Sequence, residues 1–320
     1  MIISAVIIAI LLGYITWNSV SNVTEKNFLK EANYGILVDV DGLKMSVNIK
    51  GEHNNQTIVL LPGLGELSPI LQFKPISEDL SDRFKVVTIE PFGYGLSDIT
   101  DKERTMDNIS SEIHTCIKKL GLKNYYLMAH SISGLHSLKL SNLYPKEVTG
   151  FVGLDATIPM TQEMIDYSNK LAEEQGSSDS SSFYSKAKPV LDSLGITRIA
   201  ASVKPDMFID LDPTYSYSKK DKQLIKALVV HRSGNKVRVQ EKEKDPKWKM
   251  ESVGMKFPET LPVLNFIATA TCEYLPFWEE QHENVVTDTQ HSELIKLEGT
   301  HYIHLDQRPA IVKKIKEWIN

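Results

Sequence analysis

"YYLMAHSISGLHSLKL", Tyr125 to Leu140, changes its rhythm in the middle. Tyr125–His130 is an apolar run of strand length, and the residues after Ser133 pattern as the face of a helix. Ser131 stands at the switch, with small residues around it. A serine there has two uses. Its oxygen can cap the helix N-terminus, a position serine favours. Alternatively, a strained turn can lift it out of the strand as a nucleophile. That turn requires small residues two before and two after, because strand and helix nearly touch. Ala129 and Ser133 meet the requirement loosely. The same turn would aim the next backbone N–H, that of Ile132, at the same point. The hexapeptide Ala129–Gly134 leaves both uses open.

Working outward, the same alternation recurs. "GILVDVDGLKMSVNIKGE" predicts two strands turned at Asp41-Gly42. "QTIVLLPG" reads as a buried strand, followed by a helix from about Ser68 to Leu80. "FKVVTIEP" is a strand, and Thr105–Leu120 has helical spacing at Ile109, Ile113 and Cys116/Ile117. "VTGFVGLD", "LPVLNFIAT" and "SELIKLEG" are further strands, and a helix from about Asp306 to Trp318 closes the chain. Strands alternating with helices imply a mostly parallel central sheet with helices on both faces. The alternation lapses over residues 157–258, where helical segments at Met160–Glu174 and Lys219–Val230 flank the polar "AEEQGSSDSSSF". Loops of that length are rarely structureless. The expected organisation is a core of residues 34–156 and 259–320, with 157–258 a helical cap insertion.

Composition sets limits on partners. The chain has 320 residues and a net charge of −5, with no Lys/Arg-rich run, so nucleic acid is not expected. Cys116 and Cys272 are far apart and without metal-site spacing. Met1 to Val23 carries no charged side chain, and about 20 such residues can span a bilayer. A basic n-region and an Ala-x-Ala site are missing, which favours a transmembrane anchor over a signal peptide. Lys26 and Lys30 follow the segment and lean toward a cytoplasmic body, leaving the side of the membrane open.

Two further pieces bear on Ser131. Leu61-Pro62-Gly63-Leu64-Gly65 ends an earlier strand in a flexible turn that can present a second N–H, that of Leu64. Two such donors would stabilise an oxyanion, each by a few kcal/mol. The plainer reading is an ordinary Gly-rich turn. "LEGTHYIHLDQRP" sets His301 in a loop after the last strand, on the edge of the sheet where a central-strand serine would lie. His304 lies nearer the closing helix and is expected to pack or cap. No His-Glu-x-x-His or other metal pattern is present.

On "LLPGLGE", "EPFGYGLSD", "AHSISG", the gap of cap length and "GTHYIHLDQRP", the chain resembles the α/β-hydrolase family from about Ile36 to Asn320. The resemblance implies that fold, a serine hydrolase acting through an acyl-enzyme, no cofactor, and the chain order nucleophile, acid, histidine. Ser131 and His301 take the two ends. It implies an acid after the strand that follows the elbow helix, or one strand later. Asp155 in "FVGLDATIP" suits the first place and Glu273 the second, with Thr269 and Thr271 where an aspartate is commoner. Each has a plain alternative, a structural cap for Asp155 and a solvated charge for Glu273. The sequence departs from the family in having Pro62 before Gly63, and Ala129 and Ser133 at the outer elbow positions. A serine at 131 argues against relatives with an aspartate there, such as epoxide hydrolases and haloalkane dehalogenases.

The expected substrate is a small-molecule carboxylic ester. An iminopeptidase-like aminopeptidase is the alternative, since the cap supplies Glu173, Glu174, Asp206, Asp210 and Asp212 to hold an amine. A non-catalytic binding protein on the same fold is another. A weaker rival is a dinucleotide site, from Gly63-x-Gly65 with Glu90 beyond it; Ser68 occupies the third glycine position. Oligomeric state is not legible.

Overall fold

Two kinds of strand build the sheet of the computed structural model, which describes residues 2–32, 34–174 and 180–319; of 172–174, 180–186 and 206 it describes the backbone alone. β1 (Ile36–Val40) and β2 (Leu43–Lys50) are half buried and antiparallel. Their turn places Asp41 and Gly42 at φ 54° and 83°, the left-handed geometry that an Asp-Gly hairpin supplies cheaply. β3 (Thr57–Leu61), β4 (Lys85–Glu90), β5 (Tyr125–His130), β6 (Val148–Leu154) and β7 (Val263–Ala268) are buried nearly throughout. Such runs suit parallel strands covered on both faces. β8 (Glu293–Leu297) closes the far edge and is partly exposed. The order is β1-β2-β4-β3-β5-β6-β7-β8, antiparallel as far as β2–β4 and parallel beyond. β5, which carries the elbow, is central.

Helices cover the two faces. α1 (Ile2–Glu31) precedes the sheet and runs eight residues past the uncharged segment, from Thr24 to Glu31. α2 (Pro69–Gln72) and α3 (Lys74–Leu80) stand where the sequence predicts one helix. The break falls at Phe73 because Pro75 has no N–H to donate to the Leu71 carbonyl and its ring crowds that carbonyl. α4 (Met106–Lys119) begins where the Thr105 hydroxyl accepts the Asn108 N–H at 3.1 Å. Its Ile109, Ile113 and Ile117 pack with Leu135 and Leu138 of α5 (Ser133–Leu143) against one face of the sheet. Each such side chain contributes about 1.5–3 kcal/mol by leaving water.

Between β6 and β7 stand α6 (Gln162–Glu174), α7 (Ser180–Ser193), α8 (Ile196–Val203), α9 (Lys219–Arg232) and α10 (Lys236–Ser252). Residues 175–179 of the polar stretch, and the side chains of Glu173, Glu174 and Asp206, lie outside the description. Of the other carboxylates expected to hold an amine, Asp212 is buried in an ion pair with Arg308 at 2.6 Å. A small core of Leu71, Ala201, Leu224 and Leu228 receives Phe28 and Leu29 from α1.

After β7 come α11 (Thr269–Tyr274) and α12 (Trp278–Val285). The closing helix, expected from about Asp306, is α14 (Arg308–Trp318), and a short helix, α13 (Ile303–Asp306), precedes it. Pro309 likewise has no N–H to donate to the Leu305 carbonyl, so α13 and α14 do not join. α3 and α14 cover the second face through Ile76, Leu80, Ile311 and Ile315.

Candidate active site

Ser131 follows β5 with φ 51°, in the left-handed region. A non-glycine residue there costs about 1–3 kcal/mol and persists only where its surroundings impose it. Here the Ser131 carbonyl accepts the N–H groups of Gly134 at 2.9 Å and Thr157 at 2.7 Å. A Cβ on Gly134 would lie 2.3 Å from the Thr157 carbonyl oxygen, so glycine alone fits that crossing. Ser133, at the outer elbow position, donates its hydroxyl to the Pro62 carbonyl and ties the elbow to the turn after β3.

His301 lies in the loop after β8. Its Nε2 is 2.9 Å from Ser131 Oγ and its Nδ1 is 2.7 Å from Asp155 Oδ2. Asp155 directly follows β6, fully buried, at φ 45°. It also accepts from the Ala268 N–H at 3.0 Å, from Trp278 Nε1 at 2.9 Å and from the Thr271 hydroxyl. Burial opposes its charge, but the His301, Thr271 and Ala268 hydrogen bonds prevail and hold the carboxyl below its usual range. Glu273 is exposed on α11, and no hydrogen bond joins it to His301 among the described residues. Thr271, two residues earlier, reaches Asp155 instead. Of the two candidate acids, Asp155 is the one beside the imidazole.

The N–H groups of Leu64 and Ile132 donate to no described residue. Their surroundings contain two residues the sequence patterns did not single out. Glu66 Oε1 accepts the Gly63 N–H at 2.7 Å and the Nδ1–H of His130 at 2.6 Å. His130 Nε2 faces the His301 carbonyl at 3.0 Å. With an acceptor at each nitrogen, both ring N–H groups are used. Burial disfavours the imidazolium, but the Glu66 carboxylate outweighs it and raises the pKa of His130. One buried ion pair thus joins the turn after β3, the elbow and the histidine loop. The available signal was a histidine directly before Ser131 and a glutamate within "LLPGLGE". His304 is buried against Phe73 and His130, and burial followed by the two neighbouring histidines pushes its pKa far below normal.

A cavity of about 690 Å³ opens onto Ser131 and His301. Met160 and Ile165 from the α6 region, Pro246 and Met250 from α10, and Leu275 and Trp278 supply much of its apolar wall. Asp245 is the single carboxylate among the described lining residues, and Lys249 pairs with it at 2.7 Å. Among the described residues no group of three or more His, Cys, Asp or Glu could hold a metal. Glu90, the ribose-binding candidate, is buried and bonded to Tyr34, Ser68 and the Leu96 N–H. A Cβ on Gly95 would overlap its carboxylate, so no room remains for a sugar there.

Residues 56–269 match the family model described as alpha/beta hydrolase fold. The chain is 25% identical over 292 residues to the uncharacterized protein YbdG of Bacillus subtilis (strain 168), covering 89% of this chain and 85% of that one. It is 25% identical over 127 residues to a 2-(acetamidomethylene)succinate hydrolase of Mesorhizobium japonicum, covering 40% of this chain and 45% of that one. Among solved structures, the epoxide hydrolase VrEH1 from Vigna radiata superposes with a TM-score of 0.65 at 18% identity, over 89% of this chain and 96% of that one.

Proposed function

Since the chain belongs to the α/β-hydrolase fold family, we propose that it is a serine hydrolase that cleaves a carboxylic ester through an acyl-enzyme. The supporting observation is the unbroken hydrogen-bond chain Asp155–His301–Ser131, at 2.7 and 2.9 Å. Ser131 Oγ attacks the carbonyl carbon while His301 Nε2 takes its proton. Asp155 holds the imidazole tautomer and stabilises the imidazolium. The oxyanion is held by the N–H groups of Leu64 and Ile132. Collapse expels the alcohol, which receives the proton from His301. Water then repeats the sequence on the acyl-enzyme, and the acid leaves.

Residues 157–258 act as the cap that shapes the cavity. An ester suits that cavity better than a peptide with a free N-terminus, because the lining carboxylate, Asp245, is already paired. α1 acts as the membrane-binding element, since it is long and apolar enough to cross a bilayer.

A fluorophosphonate probe on the full chain in detergent tests the chemistry. An adduct on Ser131 that is lost in His301→Ala is the expected result. A folded protein with no adduct, yet able to bind esters without turnover, would make it a binding protein on a hydrolase fold.

A further inference from the structure

Away from the cavity, one apolar surface has no partner among the described residues. α8 is sharply amphipathic. Thr197, Arg198 and Ala201 are buried, while Ile196, Ile199 and Val203 are 45%, 46% and 79% exposed. Their spacing of three and four residues puts them on one helix face. Val190 and Leu194, at the end of α7, and Met207, just beyond α8, are also exposed. Single exposed apolar side chains are ordinary, but a grouped row on neighbouring elements marks an interaction surface.

α1 runs beside this row. The Tyr14 hydroxyl donates to the Leu194 carbonyl, and the Asn18 amide donates to the Ser193 carbonyl at 2.8 Å. Arg198 grips Glu25 with two bonds of 2.9 Å, and His231 approaches the same carboxylate at 3.1 Å. α1 is therefore held to the body from Tyr14 onward. Among the described residues of α1, Ile2–Gly13 projects freely, and at about 1.5 Å per residue that is roughly 18 Å. A hydrocarbon core is about 30 Å thick. The free length matches a single leaflet.

The uncharged segment continues to Val23, and its outer side chains Ile15, Trp17, Val20 and Val23 remain exposed. Set upright, Ile2–Val23 would span about 32 Å, the whole hydrocarbon core. For these side chains to reach lipid while α1 stays docked and within one leaflet, α1 must lie oblique to the bilayer with the body resting on it. The row on α7 and α8 lies beside α1 at Tyr14 and Asn18. We infer that this row sits in the interfacial layer of a lipid bilayer, and that α1 enters one leaflet instead of crossing both. The inference rests on the proposed role of α1 in membrane binding. An amphipathic face of this kind settles about 5–10 Å into the headgroup boundary. The occupant is lipid and not a second copy, because the row is continuous with a helix whose own exposed face already requires an apolar medium.

The test uses the full chain in phosphatidylcholine/phosphatidylglycerol vesicles, with Cys272→Ser and the buried Cys116 retained. An environment-sensitive dye is attached at Ile7→Cys, Ile199→Cys, Val203→Cys or, on exposed α14, Lys313→Cys. The expected result is blue-shifted emission, quenched by lipid-borne nitroxide, at 7, 199 and 203 but not at 313. A cysteine at Ile2 should also stay unreactive toward an impermeant thiol reagent trapped inside the vesicle. Lipid contact at 7 alone, with 199 and 203 open to iodide, would overturn the inference and leave the membrane role of α1 standing. Water exposure at all positions would remove that role as well. Protection of 199 and 203 from both iodide and nitroxide would mean that a protein covers the row, which also overturns it.

Discussion

Asp155 and Glu273 differ by environment more than by chemistry. Asp155 is buried and accepts four hydrogen bonds, one from His301; Glu273 faces water. Asp155→Asn should lower kcat by about 10³–10⁴-fold, since the imidazole loses its tautomer and its counter-charge. Glu273→Gln should change kcat less than about twofold on the same ester. Stopped-time assays with a chromogenic short-chain ester distinguish the two. Glu66 invites a separate measurement. Glu66→Gln preserves shape but leaves His130 without its counter-charge, loosening the turn that carries Leu64. We expect kcat to fall by roughly tenfold with KM little changed, because a small misplacement acts on the transition state. The ion pair also has a pH signature. The folded pKa of His130 is raised, so its stabilisation is fully present below the unfolded value of about 6.5 and is lost as pH rises through the folded value. Urea titrations of wild type and His130→Gln should therefore differ more at pH 6 than at pH 9. An equal gap at both would deny the imidazolium its role.

At the level of elements, the crossing of α5 over the segment after β6 sets the elbow. Gly134→Ala places a methyl against the Thr157 carbonyl, and overpacking of this kind costs about 1–3 kcal/mol. Fluorophosphonate labelling should slow by more than the stability loss explains, because Thr157 and Gly134 both hold the Ser131 carbonyl. α4 was readable because Ile109, Ile113 and Cys116/Ile117 recur at helical spacing, and the structure buries that face. α2–α3 was read as one helix, because apolar spacing continues across Phe73 while the proline constraint acts only on the backbone; the closing helix was read from about Asp306, so the short α13 before it was missed. α11 and α12 were not foreseen. They are short, and α12 is positioned by Trp278 and Gln281 reaching Asp155 and the Ile158 carbonyl, which are long-range contacts.

For the molecule as a whole, α1 is clamped as well as apolar. Arg198 is nearly inaccessible, and Glu25 is its charged partner. Glu25→Ala in the full chain leaves that guanidinium buried without its counter-ion, which should cost about 3 kcal/mol. Differential scanning fluorimetry in detergent should register a lower Tm, and Arg198→Met combined with Glu25→Ala should recover much of it. A Tm unchanged by Glu25→Ala would mean that α1 is not docked in solution.

The mostly parallel sheet, the strained turn at Ser131 and the position of His301 were legible because local pattern carries them: strand-length apolar runs, small residues about a serine, and a histidine after the last strand. Partnership was not legible in the same way. Asp155 and Glu273 lie far apart along the chain, and their distance from an imidazole depends on the registers of β6, β7 and β8. Glu66 and His130 meet only when the β3 and β5 ends stand side by side, and Glu25 of α1 meets Arg198 only where α8 packs beside it. Such pairings join residues separated by 64 to 173 positions. Periodicity extends over a few turns of chain, so packing alone decides them.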